Sequence, residues 1–291
     1  MTPDQYCQQK AAASGSSFYY SFLFLPRERR RAITALYAFC REVDDVVDET
    51  ADAQLAATKL AWWRQELGLL YAGKPQHPVS RALQPAIAAY GITAARLNEI
   101  IDGMEMDLTQ TRYLDFAALE RYCYHVAGVV GMLAAGIFGY SDARTLDFAR
   151  SLGTAFQLTN IIRDVGEDAR KNRIYLPIAD LQQFGVGAAD LLQARHSEAF
   201  VALMRFQAER ARRCYGEALA ALPQADRRAQ RPGLIMAAIY SALLDEIERD
   251  GFQVLRGRTS LTPLRKLWIA WKTWLAAEPW SAPATPAWRR R

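Results

Sequence analysis

Apolar residues recur at three- and four-residue intervals through almost the whole chain. Strict alternation bounded by Asn-Gly or Asp-Gly turns is missing, so the pattern predicts an all-α protein. Ile33, Leu36, Phe39, Val43 and Val47 mark one face of a helix predicted over 27–48, with Pro26 at its start. Further helices are predicted over 52–71, which Gly73, Pro75 and Pro78 close off, and over 80–90, 93–109, 116–138 and 143–167. The stretch 168–187 holds Pro177, Gly185 and Gly187 and reads as a loop with short turns. Helical periodicity resumes over 188–222 and 232–251, and a Trp-rich helix covers 263–277. No long linker and no internal repeat divides the chain. Residues 1–277 therefore read as one helical domain, and 278–291, with three prolines and a terminal Arg289-Arg290-Arg291, as a frayed tail.

The longest apolar run, 126–138, is interrupted by Gly128, Gly131 and Gly136. It is shorter than the roughly 18–20 residues a membrane-spanning helix needs, so it is expected in the core. The first apolar stretch, 18–25, is aromatic and ends at Pro26, unlike a secretory signal. The four cysteines, Cys7, Cys40, Cys123 and Cys214, form no C-x-x-C pair, which fits a reducing cytoplasm better than a disulfide framework or zinc site. His77, His125 and His196 are too scattered for a histidine metal site. A composition of 51% hydrophobic and 23% charged residues supports a large core and excludes disorder. The net charge of +5 suits an anionic substrate or membrane surface. A nucleic-acid partner is not expected, because acids and bases are interspersed and no recognition motif is present.

The strongest chemical signal is geometric. Helical residues advance about 100° each, so positions 0, 3, 7 and 11 share a face. Gln157, Asn160, Asp164 and Asp168 have that spacing; Arg41, Asp44 and Asp48 repeat its first three steps, with Tyr37 one turn earlier. Each helix thus carries two carboxylates one turn apart on an otherwise apolar rod. Like charges at that spacing repel and need a counter-charge. Oxygen ligands without histidine or thiolate point to Mg²⁺, which binds through one or two carboxylates plus substrate phosphates. Two such pairs about 120 residues apart, facing each other, would hold a diphosphate between bridging metals. Arg41 and Arg163 stand beside the pairs and can bind diphosphate oxygens. The competing reading is a solvated face with ordinary surface ion pairs.

Three ordered motifs, Arg41 with Asp44-Asp45-Val46-Val47-Asp48, Tyr122-Cys123-Tyr124-His125-Val126-Ala127-Gly128, and 157–164 with Glu167-Asp168, resemble the squalene/phytoene synthase family, over about residues 6–266. Ser14-Gly15-Ser16-Ser17-Phe18-Tyr19-Tyr20 and Phe22-Leu23-Phe24-Leu25-Pro26 are similar to the presqualene diphosphate synthases of bacterial hopanoid pathways. The resemblance implies a single-domain isoprenoid-synthase fold with a central cavity. It implies two or three Mg²⁺ ions with diphosphate, held by Asp44, Asp48, Asn160, Asp164 and Asp168. It implies diphosphate contacts from Ser16, Ser17, Arg41, Gln157, Asn160, Arg163, Tyr240 and Arg258, and catalytic work by Tyr37, Arg41, Tyr122 and Arg163, with Tyr122 in an acid/base role. Ser14 and Ser16 depart from relatives that carry a histidine and a lysine there.

The implied reaction is head-to-head coupling of two farnesyl diphosphates to presqualene diphosphate, without NADPH. The rivals are phytoene formation from geranylgeranyl diphosphate, squalene or dehydrosqualene formation, and a non-catalytic, membrane-associated assembly subunit. Three further features have two readings each. The aromatics from Phe18 to Phe24 line a prenyl chamber or fill core; Gly128, Gly131, Ala135 and Gly139 leave room for a prenyl tail or let helices pack closely. Trp268, Trp271 and Trp274, interleaved with Arg265, Lys266 and Lys272, touch a membrane surface at its cytoplasmic face or pack on the core. Pathway enzymes are the expected protein partners.

Overall fold

The computed structural model describes residues 1–13, 18–50 and 52–276, the Tyr19 side chain excepted. Ser16, Ser17 and the tail at 278–291 lie outside the described residues. The described residues form α1 (Pro3–Ala13), α2 (Phe18–Phe22), α3 (Arg27–Glu49), α4 (Ala53–Tyr71), α5 (Pro78–Tyr90), α6 (Ala94–Thr109), α7 (Phe116–Cys123) and α8 (Val129–Phe138). They continue with α9 (Arg144–Arg170), α10 (Ile178–Gln183), α11 (Ala188–Leu192), α12 (Glu198–Ala221), α13 (Arg231–Arg249) and α14 (Pro263–Leu275). Extended pairing among them is a lone parallel bridge between Arg112 and Ile174.

Local chemistry sets the helix starts. The Asp52 carboxylate accepts from the Gln54 N–H at 2.8 Å to begin α4, and Asp115 accepts from Ala118 N–H at 2.8 Å to begin α7. Ser197 does the same for α12, accepting from Phe200 N–H at 3.1 Å. The start of α9 is held from a distance. Buried Asp226 accepts from the Ser141 N–H at 2.8 Å, the Ser141 hydroxyl at 2.6 Å, the Asp142 N–H at 3.0 Å and the Thr145 hydroxyl at 2.7 Å.

Helix α9 is the axis of the molecule, buried on several sides and packed chiefly against α12 and α8. Two glycines allow its contact with the α7–α8 rod. A Cβ on Gly131 would sit 2.4 Å from the Ala149 carbonyl, and one on Gly153 2.4 Å from the Ala127 carbonyl. No other residue permits that backbone approach.

Four expectations change. The helix predicted over 116–138 is continuous but takes a π turn at Tyr124–Gly128, where the Val129 N–H bonds the Tyr124 carbonyl. Helix α9 runs past Glu167 to Arg170, which keeps Asp168 in register with Asp164. The loop at 168–187 contains a helix, α10. The span 188–222 is two helices, because Ala194 adopts φ 51° and breaks the rod. The apolar span Phe116–Phe138 is long enough to cross a membrane, yet half of it is buried in the bundle and it lines the central cavity.

Candidate active site

A cavity of about 740 Å³ opens between α2, α3, α6, α7–α8, α9 and α13. Its rim is polar and its floor apolar. Helix α3 explains how the rim is loaded. Leu36, Phe39, Val43 and Val47 are buried on one side, which turns Tyr37, Arg41, Asp44 and Asp48 toward the cavity. On α9, Leu158, Ile161, Ile162 and Val165 are buried, and Gln157, Asn160, Asp164 and Asp168 line the same space. Tyr122, Arg163, Tyr240 and Arg258 line it as well. Every predicted site residue that is described therefore lines one cavity rather than a convex outer face.

The aspartates are already engaged by cations. Arg41 pairs with Asp44 and Asp45. Arg163 grips Asp164 through two N–H groups at 2.7 and 2.5 Å, and Arg258 reaches Asp164 at 2.9 Å. Arg173 donates to Asp48 at 2.9 Å, with Lys171 3.7 Å from the same carboxylate. Burial pushes the Asp44 carboxyl up to about 6, although Arg41 pulls it down. Burial, then the charges of Asp164 and Glu167, push Asp168 up to about 7. Lys266 is held below the usual lysine range by burial and by the nearby Arg163 and Arg258. Three cations crowded there make a ready anion site.

Sequence reasoning missed Asp107, Lys171, Arg173 and Tyr175, which line the cavity, and named Lys266 only for a membrane face. The Tyr122 hydroxyl donates to Asp107 at 2.8 Å and the Tyr175 hydroxyl to the other Asp107 oxygen at 2.7 Å. Arg173 had a readable signal: it follows Asp168 by five residues, on the strand-like exit from α9. Asp107 had none, since it comes from α6, outside the three motifs.

The residues fit a divalent ion by their donor chemistry. The rim offers carboxylates and an amide oxygen, and Asn160 Oδ1 is buried without a hydrogen-bond partner while its amide donates to Gln157 at 3.2 Å. Among the described residues no three acidic, histidine or cysteine side chains form a ready-made metal cage.

The aromatic stretch divides its duties. Phe18 and Phe22 line the cavity, whereas Phe24 stacks on Trp274 at 4.9 Å. Gly131 and Ala135 line the floor, Gly128 and Gly139 lie outside the cavity lining, and Gly131 also serves the close α8–α9 contact. On α14, Trp274 packs inward, and Trp268 and Trp271 are exposed.

A polar, cation-rich rim of paired aspartates over an apolar chamber, within one helical bundle, defines a helical isoprenoid-synthase fold. The chain belongs to the squalene/phytoene synthase family, whose family model matches residues 11–265. A 15-cis-phytoene synthase from Synechococcus elongatus is 36% identical over 273 residues, 90% of this chain and 89% of that protein. A phytoene synthase from Arthrospira platensis is 35% identical over 90% of this chain and 89% of its own length. Among solved structures, a dehydrosqualene synthase in complex with ligand aligns with TM-score 0.82 at 29% identity, covering 93% of this chain and 94% of that one. A squalene synthase from Alicyclobacillus acidocaldarius aligns with TM-score 0.77 at 30% identity, covering 86% of this chain and 94% of that one. Members of the family are prenyl transferases acting on prenyl diphosphates.

Proposed function

We propose that this protein couples two farnesyl diphosphates head to head into presqualene diphosphate and inorganic diphosphate. The observation that carries the reading is the convergence of both aspartate helices on one cavity with an apolar floor. Asp44, Asp48, Asn160, Asp164 and Asp168 would hold two or three Mg²⁺ ions, which when bound neutralise the leaving diphosphate. Arg41, Arg163, Gln157, Tyr240 and Arg258, with Ser16 and Ser17 from the segment outside the described residues, bind the diphosphate groups. Arg173, Lys171 and Lys266 join them. Tyr37 stands at the rim against Phe18, ring centroids 5.6 Å apart, and shields the allylic cation from water. That cation, formed from one substrate, is attacked by the C2–C3 double bond of the other, and proton loss closes a cyclopropane. No nicotinamide is needed for this step.

A second reading has support of its own: the relatives at 34–36% identity are named phytoene synthases, which favours geranylgeranyl diphosphate and the same ring-forming coupling. The C30 reading draws on the dehydrosqualene and squalene synthase structures. Purified protein incubated with Mg²⁺ and either substrate, without NADPH, decides by mass spectrometry of the product. A C30 cyclopropyl diphosphate supports the first reading. A C40 product replaces it with the second, and no turnover of either substrate refutes both, leaving the assembly-subunit rival.

The lipid-soluble product also gives α14 a role. Its inner side rests on the bundle through Ala270, Thr273 and Trp274, while Leu264, Leu267, Trp268, Trp271 and Leu275 form a second, exposed apolar face flanked by exposed Arg265 and Lys272. Lys266 and Leu261, at the same end, line the cavity. This face is proposed to rest peripherally on an anionic membrane on its cytoplasmic side, next to the cavity mouth.

A further inference from the structure

Behind Tyr122 lies a carboxylate with both oxygens committed. Asp107 is buried and accepts the Tyr122 hydroxyl on Oδ2 and the Tyr175 hydroxyl on Oδ1, at 2.8 and 2.7 Å. The two phenol rings stack with centroids 5.1 Å apart, and Tyr113 stacks on Tyr175 at 5.9 Å, so the group is rigidly framed. Asp107, Tyr122 and Tyr175 all line the cavity. The group also abuts the rim, because Arg173, two residues before Tyr175, bonds Asp48. A purely structural clamp between two phenols would be served by a neutral amide, without the cost of burying a charge. A carboxylate whose hydrogen-bonded phenol faces the reacting chamber is instead a base with a relay in front of it.

We propose that Asp107 is the proton acceptor of the coupling reaction, acting through Tyr122 as a positioning and relay partner. The inference rests on the prenyl-coupling reading and holds for C15 and C20 substrates alike. In the ring-closing step a C–H bond at the coupling carbon breaks, and its electron pair becomes the third C–C bond of the cyclopropane. The proton passes to the Tyr122 oxygen as that phenol's own O–H proton passes to Asp107 Oδ2. The substrate cation becomes neutral and the carboxylate becomes a carboxylic acid, so charge balances without an external reagent. The Tyr175 hydrogen bond fixes the rotation of the carboxylate and keeps Oδ2 on Tyr122.

The test compares wild type, Asp107→Asn, Asp107→Glu, Tyr122→Phe and the Asp107→Asn/Tyr122→Phe double variant with Mg²⁺ and each prenyl diphosphate. Released diphosphate and prenyl products are both counted. Asp107→Asn is expected to lower kcat for cyclopropyl product about 10²–10⁴-fold, with KM within about twofold. Diphosphate release persists, and the stranded coupled cation is captured by water as an open-chain C30 or C40 alcohol that keeps one diphosphate and has no cyclopropane. Tyr122→Phe gives the same partition, the double variant is no worse than either single one, and Asp107→Glu recovers at least about tenfold. An unchanged ratio of cyclopropyl product to released diphosphate in Asp107→Asn overturns the proposal and hands the proton to the departing diphosphate. A parallel loss of diphosphate release and cyclopropyl product with raised KM also overturns it, in favour of a structural role. Lack of turnover by wild type overturns the coupling reading itself and this inference with it.

Discussion

The rim and the floor of the cavity are built by the same helices on opposite principles. At the rim, α3 and α9 expose acids, of which Asp44, Asp48 and Asp164 are already engaged by Arg41, Arg173, Arg163 and Arg258, so part of the charge is countered before anything binds. At the floor, Phe22, Ala134, Phe138, Phe148 and Gly233 offer only shape. The difference separates two properties that one enzyme must combine. On the proposed reading, directional, charge-bearing groups at the rim govern whether an allylic C–O bond breaks, while the volume at the floor governs how long a chain is accepted.

The sharpest way to break that division is at the rim. Asp44→Asn or Asp164→Asn is expected to lower kcat about 10³-fold or more with helical content intact, read by product assay and circular dichroism. Near-normal turnover in both variants would strip the rim of its assigned role. Rim chemistry is also expected to follow pH. Asp44 and Asp168, raised to about 6 and 7, hold protons that metal must displace. Mg²⁺ affinity should therefore rise as pH climbs through 6 to 7, measured by calorimetry in the presence of inorganic diphosphate. A flat profile contradicts the burial of those carboxyls.

The floor should respond in a different currency. Ala134→Phe fills chamber volume and is expected to shift the C15 over C20 preference by roughly 10–200-fold, with the Mg²⁺ requirement unaltered. A change in metal requirement instead would mean that rim and floor are not separable. The element common to both is α9, whose start depends on Asp226. Burial raises that carboxyl, but hydrogen bonds from Ser141, Thr145 and the Asp142 backbone outweigh it and hold it at about 2. Its folded value lies below the ordinary carboxylate range, so its stabilising effect is complete above about pH 4 and is lost as pH falls toward 2. Asp226→Ala should lower unfolding stability by about 2 kcal/mol at neutral pH and flatten that acid dependence, read by denaturant titration. The smallest effect on turnover is expected outside the cavity: Trp268→Ser with Trp271→Ser should weaken binding to anionic vesicles about tenfold while leaving kcat in detergent unchanged. Equal vesicle binding would leave that helix face without a membrane role.

The rim was readable because a 3.6-residue period converts spacing directly into direction. Asp44, Asp48, Asp164 and Asp168 needed no coordinates to be placed on common faces. Asp107, Tyr175 and Lys266 were not readable, because their proximity arises from tertiary packing of α6, the exit of α9 and α14, which no local period encodes. The break in the helix expected over 188–222 escaped for a related reason. Ala194 takes a left-handed conformation that sequence assigns to glycine, although Ser197 offered a cap three residues later. The floor is legible only as composition. Which apolar residues face a hollow and which face one another depends on backbone approach at Gly131 and Gly153.

The wide turn at Tyr124–Gly128 carries a consequence for how one rod meets two obligations. In a uniform α-helix Tyr122 and Gly131, nine positions apart, would point about 180° from each other. One extra residue in the turn rotates the second half by about 100°, so the phenol can look into the hollow while the glycine still nestles against α9. Deleting a single residue from that turn would tidy the helix and misalign its two ends.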